Sequence, residues 1–175
     1  MTGSLIIYSS IDGHTKSICE RILNCSYDRN IVTIKSLNEA AKLDVSIFDK
    51  IIIGASIRYG KHSKDLYNFI KKNKSILDKK ESIFFSVNVV ARKPEKNTPD
   101  TNPYIQKFLK ISKWRPKKIA VFAGKVDYPK YGFLDKYIIK LIMFITKGPT
   151  DTSQSYEFTD WAKVDVFAKE LWHNP

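Results

Sequence analysis

Five short apolar runs recur along the chain, over residues 4–9, 30–35, 50–54, 82–88 and 118–124. Between them the apolar positions change to helical spacing: Ile18, Cys19, Ile22 and Leu23, then Leu66, Phe69 and Ile70, then Tyr104, Ile105, Phe108 and Leu109. Strands that alternate with amphipathic helices predict an α/β fold, a sheet with helices on both faces. The run "KIIIGAS" is apolar almost throughout, as a strand covered on both sides should be. A last helix is predicted over 160–172, with Trp161, Val164, Phe167, Ala168 and Leu171 on one face and Asp160 as its N-cap.

One stretch does not fit the alternation. Between the fifth apolar run and the last helix lie 35 residues, 125–159, and within them positions 133–145 are apolar at ten of thirteen. Gly132 precedes this segment, Gly148-Pro149 stops it, and Lys136, Lys140 and Lys147 keep to one helical face. An inserted helix is expected here, inside an insertion of about 125–155.

The chain has 175 residues, 43% of them hydrophobic. That is enough for one substantial core and too little for two, so a single domain over 3–175 is expected. The first apolar run is short and lacks a basic flank, and no apolar stretch approaches the roughly 20 residues that span a bilayer. The protein is therefore expected to start in the cytosol. Cys19 and Cys25 stand in a predicted helix without a CxxC or Cys/His grouping, which reads as core-filling or idle thiols. Thirty basic residues against eighteen acidic ones give a formal charge of +12. Such a chain attracts polyanions: nucleic acid, an anionic membrane surface or acidic small molecules.

In open parallel sheets the ligand lies beyond the carboxyl ends of the strands. The first such end is Ser9-Ser10-Ile11-Asp12-Gly13-His14-Thr15, where hydroxyls and unpaired N–H groups precede a helix. A phosphate fits such a turn, and an ordinary capped turn would use the same residues. Asp12 repels a phosphate unless its side chain turns back to cap the helix. No G-x-G-x-x-G and no G-x-x-x-x-G-K-[ST] occurs, so dinucleotide and Walker-type binding lose ground. The third strand ends in Ser56-Ile57-Arg58-Tyr59-Gly60 and the fourth in Ser86-Val87-Asn88-Val89-Val90-Ala91-Arg92-Lys93. Tyr59 can stack on a planar ring, and Arg58, Arg92 and Lys93 can meet carboxylates. A phosphate turn beside two ring-flanking loops describes a site for flavin mononucleotide, FMN.

With those residues in view, "SIDGHT" resembles the [ST]-x-[TD]-G-x-T phosphate loop of flavodoxins. "GASIRYG", "SVNVVARKPEKNTPDTNPY", "KWRP" and "YIIKLIM" together resemble the bacterial menaquinone-dependent protoporphyrinogen IX dehydrogenase family, along nearly the whole chain. The resemblance implies a flavodoxin-like, doubly wound, five-stranded parallel sheet of order 2-1-3-4-5 with a helical insertion in the fifth-strand region, the strand resuming near 155–158. It also implies non-covalent FMN, with Ser9, Ser10, Asp12, Gly13, His14 and Thr15 around the phosphate. Residues 56–60 and 86–92 would flank the ring, Tyr59 being the one obvious stacking aromatic.

The reaction so implied removes six electrons from protoporphyrinogen IX, in haem synthesis, and passes them to menaquinone. The porphyrinogen's propionates make Arg58, Arg92, Lys93 and Arg115 its candidate partners. His14 and His62 titrate near neutrality when free, but no residue is assigned as a catalytic acid or base, and no metal is expected. Because menaquinone is lipid-borne, the segment 128–147 is expected to meet an anionic membrane surface, at the cytoplasmic side, through its apolar face and lysines. A core or dimer-interface helix is the other role open to it. Two competing readings remain: an FMN electron carrier between protein partners, which the basic charge disfavours, and a nucleic-acid binder, for which no motif is present.

Overall fold

The computed structural model describes residues 3–173. Five parallel strands, β1 (Gly3–Ser9), β2 (Val32–Ser36), β3 (Phe48–Ser56), β4 (Glu81–Val87) and β5 (Lys118–Phe122), form one sheet in the order β2-β1-β3-β4-β5. Helix α1 (His14–Asn24) follows β1, α3 (Lys64–Leu77) follows β3, α4 (Pro103–Ser112) follows β4 and α6 (Trp161–His173) closes the chain. The order matches the one the resemblance implied, and it places the winding reversal between β1 and β3.

Strand alternation divides the core in two. Leu5, Ile7, Ile51, Ile53, Phe84 and Val121 face α3 and α4, meeting Leu66, Phe69, Ile70, Ile105 and Phe108. Their neighbours Ile6, Ile52, Ile83, Phe85 and Phe122 face the opposite side, against Ile18, Cys19 and Ile22 of α1 and Val164, Phe167 and Leu171 of α6. Each fully buried side chain of this kind contributes about 1.5–3 kcal/mol. Cys19 is one of them, a core filler whose thiol pKa burial raises. Gly54 belongs to the same packing, because a Cβ there would lie 2.2 Å from the Phe85 ring.

Several boundaries differ from those read in the sequence. The second strand starts at Val32, because Arg29–Ile31 form a turn whose N–H at Asn30 is capped by Asp28 at 2.9 Å. The third strand runs longer than the apolar stretch, since Phe48 and Asp49 extend it at one end. A one-turn helix, α2 (Leu37–Ala40), is closed by a reciprocal capping box between Ser36 and Glu39. One turn is too short to show a period. Asp160 does cap α6, accepting from the Lys163 N–H at 3.0 Å.

The insertion departs from expectation in one respect. Its helix, α5, spans Phe133–Ile145 as read. The fifth strand, however, does not resume: β7 (Ser155–Glu157) pairs antiparallel with β6 (Lys125–Asp127) in a separate two-stranded sheet. The chain after β5 turns out of the main sheet at Gly124, and the returning strand finds its partner in that outgoing segment, with the Phe158 N–H bonded to Gly124 O at 3.1 Å. A small third core of Val126, Tyr128, Tyr131 and Met143 sits beneath α5. The helix ends in a Schellman motif at Lys147, φ +57°, with the Gly148 N–H on Met143 O at 2.7 Å and the Lys147 N–H on Phe144 O at 3.1 Å.

Candidate active site

The carboxyl ends of β1, β3, β4 and β5 converge on two adjoining hollows. The smaller is lined by Ser10, Ile11, Asp12, His14, Thr15, Ser56, Ile57, Arg58, Val87, Asn88, Val89, Gly124 and Lys125. The larger, about 650 Å³ including its open mouth, lies between the loops after β3 and β4 and the inner face of α5. Asp12, Ile57, Arg58, Asn88, Val89 and Lys125 border both.

At the smaller hollow, α1 begins without a side-chain cap, whereas α2, α3 and α4 are capped by Ser36, Ser63 and Asn102. Gly13 takes φ +86°, open space surrounds its Cα, and its N–H donates to Ser10 Oγ at 3.1 Å. The first-turn N–H groups of α1 and the positive end of its dipole therefore have no side-chain acceptor, and Thr15 is buried in that turn. The expected capping role of Asp12 is overturned. Its carboxylate accepts from Arg58 Nη1 at 2.6 Å instead, which neutralises it across the hollow. Ser9 stands further back, its carbonyl accepting from Ser56 Oγ at 3.3 Å.

His14 is fixed from the far side of the hollow. Thr159 Oγ1 gives its proton to Ala123 O at 2.8 Å, so the 2.6 Å contact to His14 Nε2 has the imidazole donating. Burial lowers the His14 pKa, with Lys125 adding to the effect against Glu157. His62 is buried against Phe84, Phe108 and Tyr67, and burial alone pulls it down to about 4. Both rings are thus neutral at neutral pH, and both hold structure: His62 touches Ser86 Oγ at 3.1 Å and borders neither hollow.

The loops flanking the larger hollow are rigid for local reasons. Arg58 and Lys61 exchange backbone bonds of 3.0 and 3.2 Å around Tyr59 and Gly60, both at positive φ. That is the geometry of a tight hairpin turn. In the next loop Asn88 and Asn102 join their buried amides, and Asn88 Oδ1 also accepts the Ala91 N–H at 3.1 Å. Ser86 and Ala91 are therefore buried supports rather than lining. Val89 and Val90 form the apolar wall.

Arginines from these loops hold α5 at both ends. Arg58 Nη2 donates to Asp135 Oδ2 at 2.9 Å, and the Tyr59 hydroxyl donates to the other oxygen of that carboxylate. Tyr59 first, then Arg58, holds the Asp135 carboxyl below its ordinary value. Arg92 Nη2 donates to Thr146 O at 2.7 Å, and its Nη1 to Val89 O at 3.0 Å. Gly148 leaves room for this guanidinium, since a Cβ there would lie 2.8 Å from Nη2. Two of the proposed carboxylate partners are thus already engaged within the protein. A third, Arg115, precedes β5 at the amino end of the sheet, where it donates to Leu109 O at 2.8 Å, and it is away from both hollows. Lys93 follows the β4 loop at the rim without lining either.

Sequence reasoning missed Gly124 and Lys125, which follow the fifth strand and were open to the same strand-end rule. It also missed Tyr104, Tyr131 and Thr159. The Tyr131 ring is centred 5.0 Å from the Arg58 guanidinium and the Tyr59 ring 5.3 Å, so two aromatics rather than one border the larger hollow near Arg58.

A strand order of 2-1-3-4-5 with an uncapped helix start at the switch point is that of a flavodoxin-type protein. The flavodoxin domain model matches residues 5–153. Among solved structures, oxidised flavodoxin 1 from Bacillus cereus is 14% identical, with 99% of each chain covered and a TM-score of 0.55. A flavoprotein from Lactobacillus acidophilus in complex with FMN is 16% identical over 69% of this chain and 93% of that one, TM-score 0.50. These likenesses concern the fold.

More particularly, the chain belongs to the protoporphyrinogen IX dehydrogenase [quinone] family of flavodoxin-domain oxidoreductases. It is 41% identical over 171 residues to that enzyme of Escherichia coli K12, covering 97% of this chain and 94% of the relative. To the Leishmania major enzyme it is 43% identical over 172 residues, covering 95% and 73%.

Proposed function

We propose that this protein oxidises protoporphyrinogen IX to protoporphyrin IX with bound FMN and passes the electrons to menaquinone, in haem synthesis. The observation that carries the reading is the joining of the anion turn to the α5 cleft through Arg58, Asp12 and Lys125. A phosphate-anchored flavin and a second planar molecule would then share one opening. Residues suited to the phosphate are the N–H groups of α1, Ser10 and Thr15, while Ile57–Gly60 and Asn88–Val90 suit the ring. FMN, when bound, supplies the redox chemistry.

The chain's own residues supply position and environment. Gly13 keeps the turn open, Asn88 and the Tyr59-Gly60 hairpin fix the two loops, and the valines exclude water. No histidine among the described residues lines the larger hollow, consistent with a task of positioning.

The peripheral membrane role is supported by α5. Its outer face leaves Phe133, Leu134, Phe144 and Ile145 each at least 69% exposed, with Lys136 and Lys140 beside them. No helix among the described residues is long and apolar enough to cross a membrane. A core helix would not leave that face exposed, whereas a dimer interface would cover it. The test is an anaerobic assay of the purified, FMN-supplied protein with porphyrinogen and a menaquinone analogue on phosphatidylglycerol vesicles. Porphyrin formation that depends on FMN and quinone supports the reading. Retained flavin without porphyrin formation would leave an electron carrier.

A further inference from the structure

We propose that the inner wall of α5 forms the head-group site for the quinone acceptor, a fused-ring, uncharged naphthoquinone that enters along α5 from the bilayer. The inference rests on the function proposed above and adds where the acceptor binds. Three observations carry it.

The first is the division of α5 into two apolar faces. Ile139, Ile142 and Met143 turn inward and line the larger hollow, while Phe133, Leu134, Leu141, Phe144 and Ile145 are exposed on the outside. Ile142 borders the hollow and is still 37% exposed, so it stands where the two faces meet. Ile142 therefore offers an apolar edge between the outer face and the hollow.

The second is charge. The hollow contains Arg58, Arg92 and Lys125, but Arg58 is held by Asp12 and Asp135, Arg92 by backbone carbonyls and Thr146, and Lys125 by Asp127 at 3.5 Å. Admitting a carboxylate would require breaking one of these pairs. A neutral ring with a hydrocarbon tail requires none of that, and Val89, Val90, Val126, Ile139 and Met143 suit it.

The third is a free donor. Tyr104 lines the same hollow and is half-buried, and its hydroxyl has no hydrogen-bond partner among the described residues. Burial raises its pKa, so it keeps its proton for a quinone carbonyl.

The test uses FMN-loaded protein and 2-methyl-1,4-naphthoquinone as the probe. Its dissociation constant is read from fluorescence quenching, and its KM is read separately from the porphyrinogen KM. Ile142→Arg should weaken naphthoquinone binding by about tenfold or more, and Tyr104→Phe by about fivefold, the loss of one hydrogen bond. Both should leave the FMN dissociation constant and the porphyrinogen KM unchanged. Unaltered naphthoquinone binding in both variants would overturn the proposal, as would a rise in the porphyrinogen KM instead. Absence of porphyrinogen oxidation in the unmodified protein would count against the proposed function alone, because the binding measurement decides the quinone site without turnover.

Discussion

Arg58 Nη2 lies 2.9 Å from Asp135 Oδ2, so the loop after β3 grips the first turn of a helix 77 positions further along the chain. The same guanidinium reaches Asp12 in the anion turn. One side chain therefore ties the turn before α1 to the inserted helix. Asp135→Asn should loosen the first turn of α5 while Arg92 still holds the last. Limited trypsin digestion should cut at Lys136 and Lys140 several-fold faster, with the sheet intact. Equal cleavage rates would mean that α5 is held by its small apolar core instead.

Asp12 makes a second prediction about the anion turn. Asp12→Asn removes a negative charge from the turn and leaves Arg58 paired with Asp135 alone, so FMN should bind several-fold more tightly and riboflavin, which lacks the phosphate, should not change. The gain should shrink as salt is raised. Ser10→Ala combined with Thr15→Ala should act in the opposite direction on FMN. Titrations in which FMN and riboflavin respond alike to Asp12→Asn would contradict a phosphate in this turn.

The outer face of α5 gives a third. Phe144→Asp with Leu141→Asp changes exposed positions, so stability should move by no more than about 1 kcal/mol. Each lost apolar contact with lipid is worth about 1.5–3 kcal/mol, which lowers partition onto phosphatidylglycerol vesicles at least tenfold. Unchanged sedimentation with the vesicles would remove the membrane role.

His62 sets a pH dependence of folding. Its folded pKa, about 4, lies below the unfolded value of 6.5, so the unfolded chain takes up the proton first. Its neutral, buried form is fully compatible with the fold above pH 6.5. Stability then falls as pH drops from 6.5 toward 4, by about 3 kcal/mol in total. His62→Gln should flatten this slope in urea denaturation measured at several pH values. A slope unchanged by the substitution would assign the acid sensitivity elsewhere.

How much of this was legible in the sequence depends on how local the signal was. The turn at Ser10–Thr15 was readable because a strand pattern gives way to a helix pattern within a few residues. Helix α5 was readable from Gly132 and from its dense apolar run. The function of Asp12 was not, because its partner comes from another strand end, and a charge pair between distant segments leaves no period or motif. Arg92 looked like a ligand for carboxylates. Its seat under Thr146 and Gly148 depends on how the insertion folds back, which no spacing records. The separate β6-β7 sheet was missed for a related reason, since three-residue strands name no partner.

The central claim is that a flavin held at this switch point takes electrons from protoporphyrinogen IX and gives them to a quinone. Its most direct test is anaerobic mixing of the FMN-loaded protein with protoporphyrinogen IX, followed by naphthoquinone, with flavin absorbance and porphyrin fluorescence recorded together. The oxidised flavin should bleach as porphyrinogen is added and regain its colour when the quinone follows, with porphyrin appearing. Flavin that stays oxidised in the presence of porphyrinogen would contradict it.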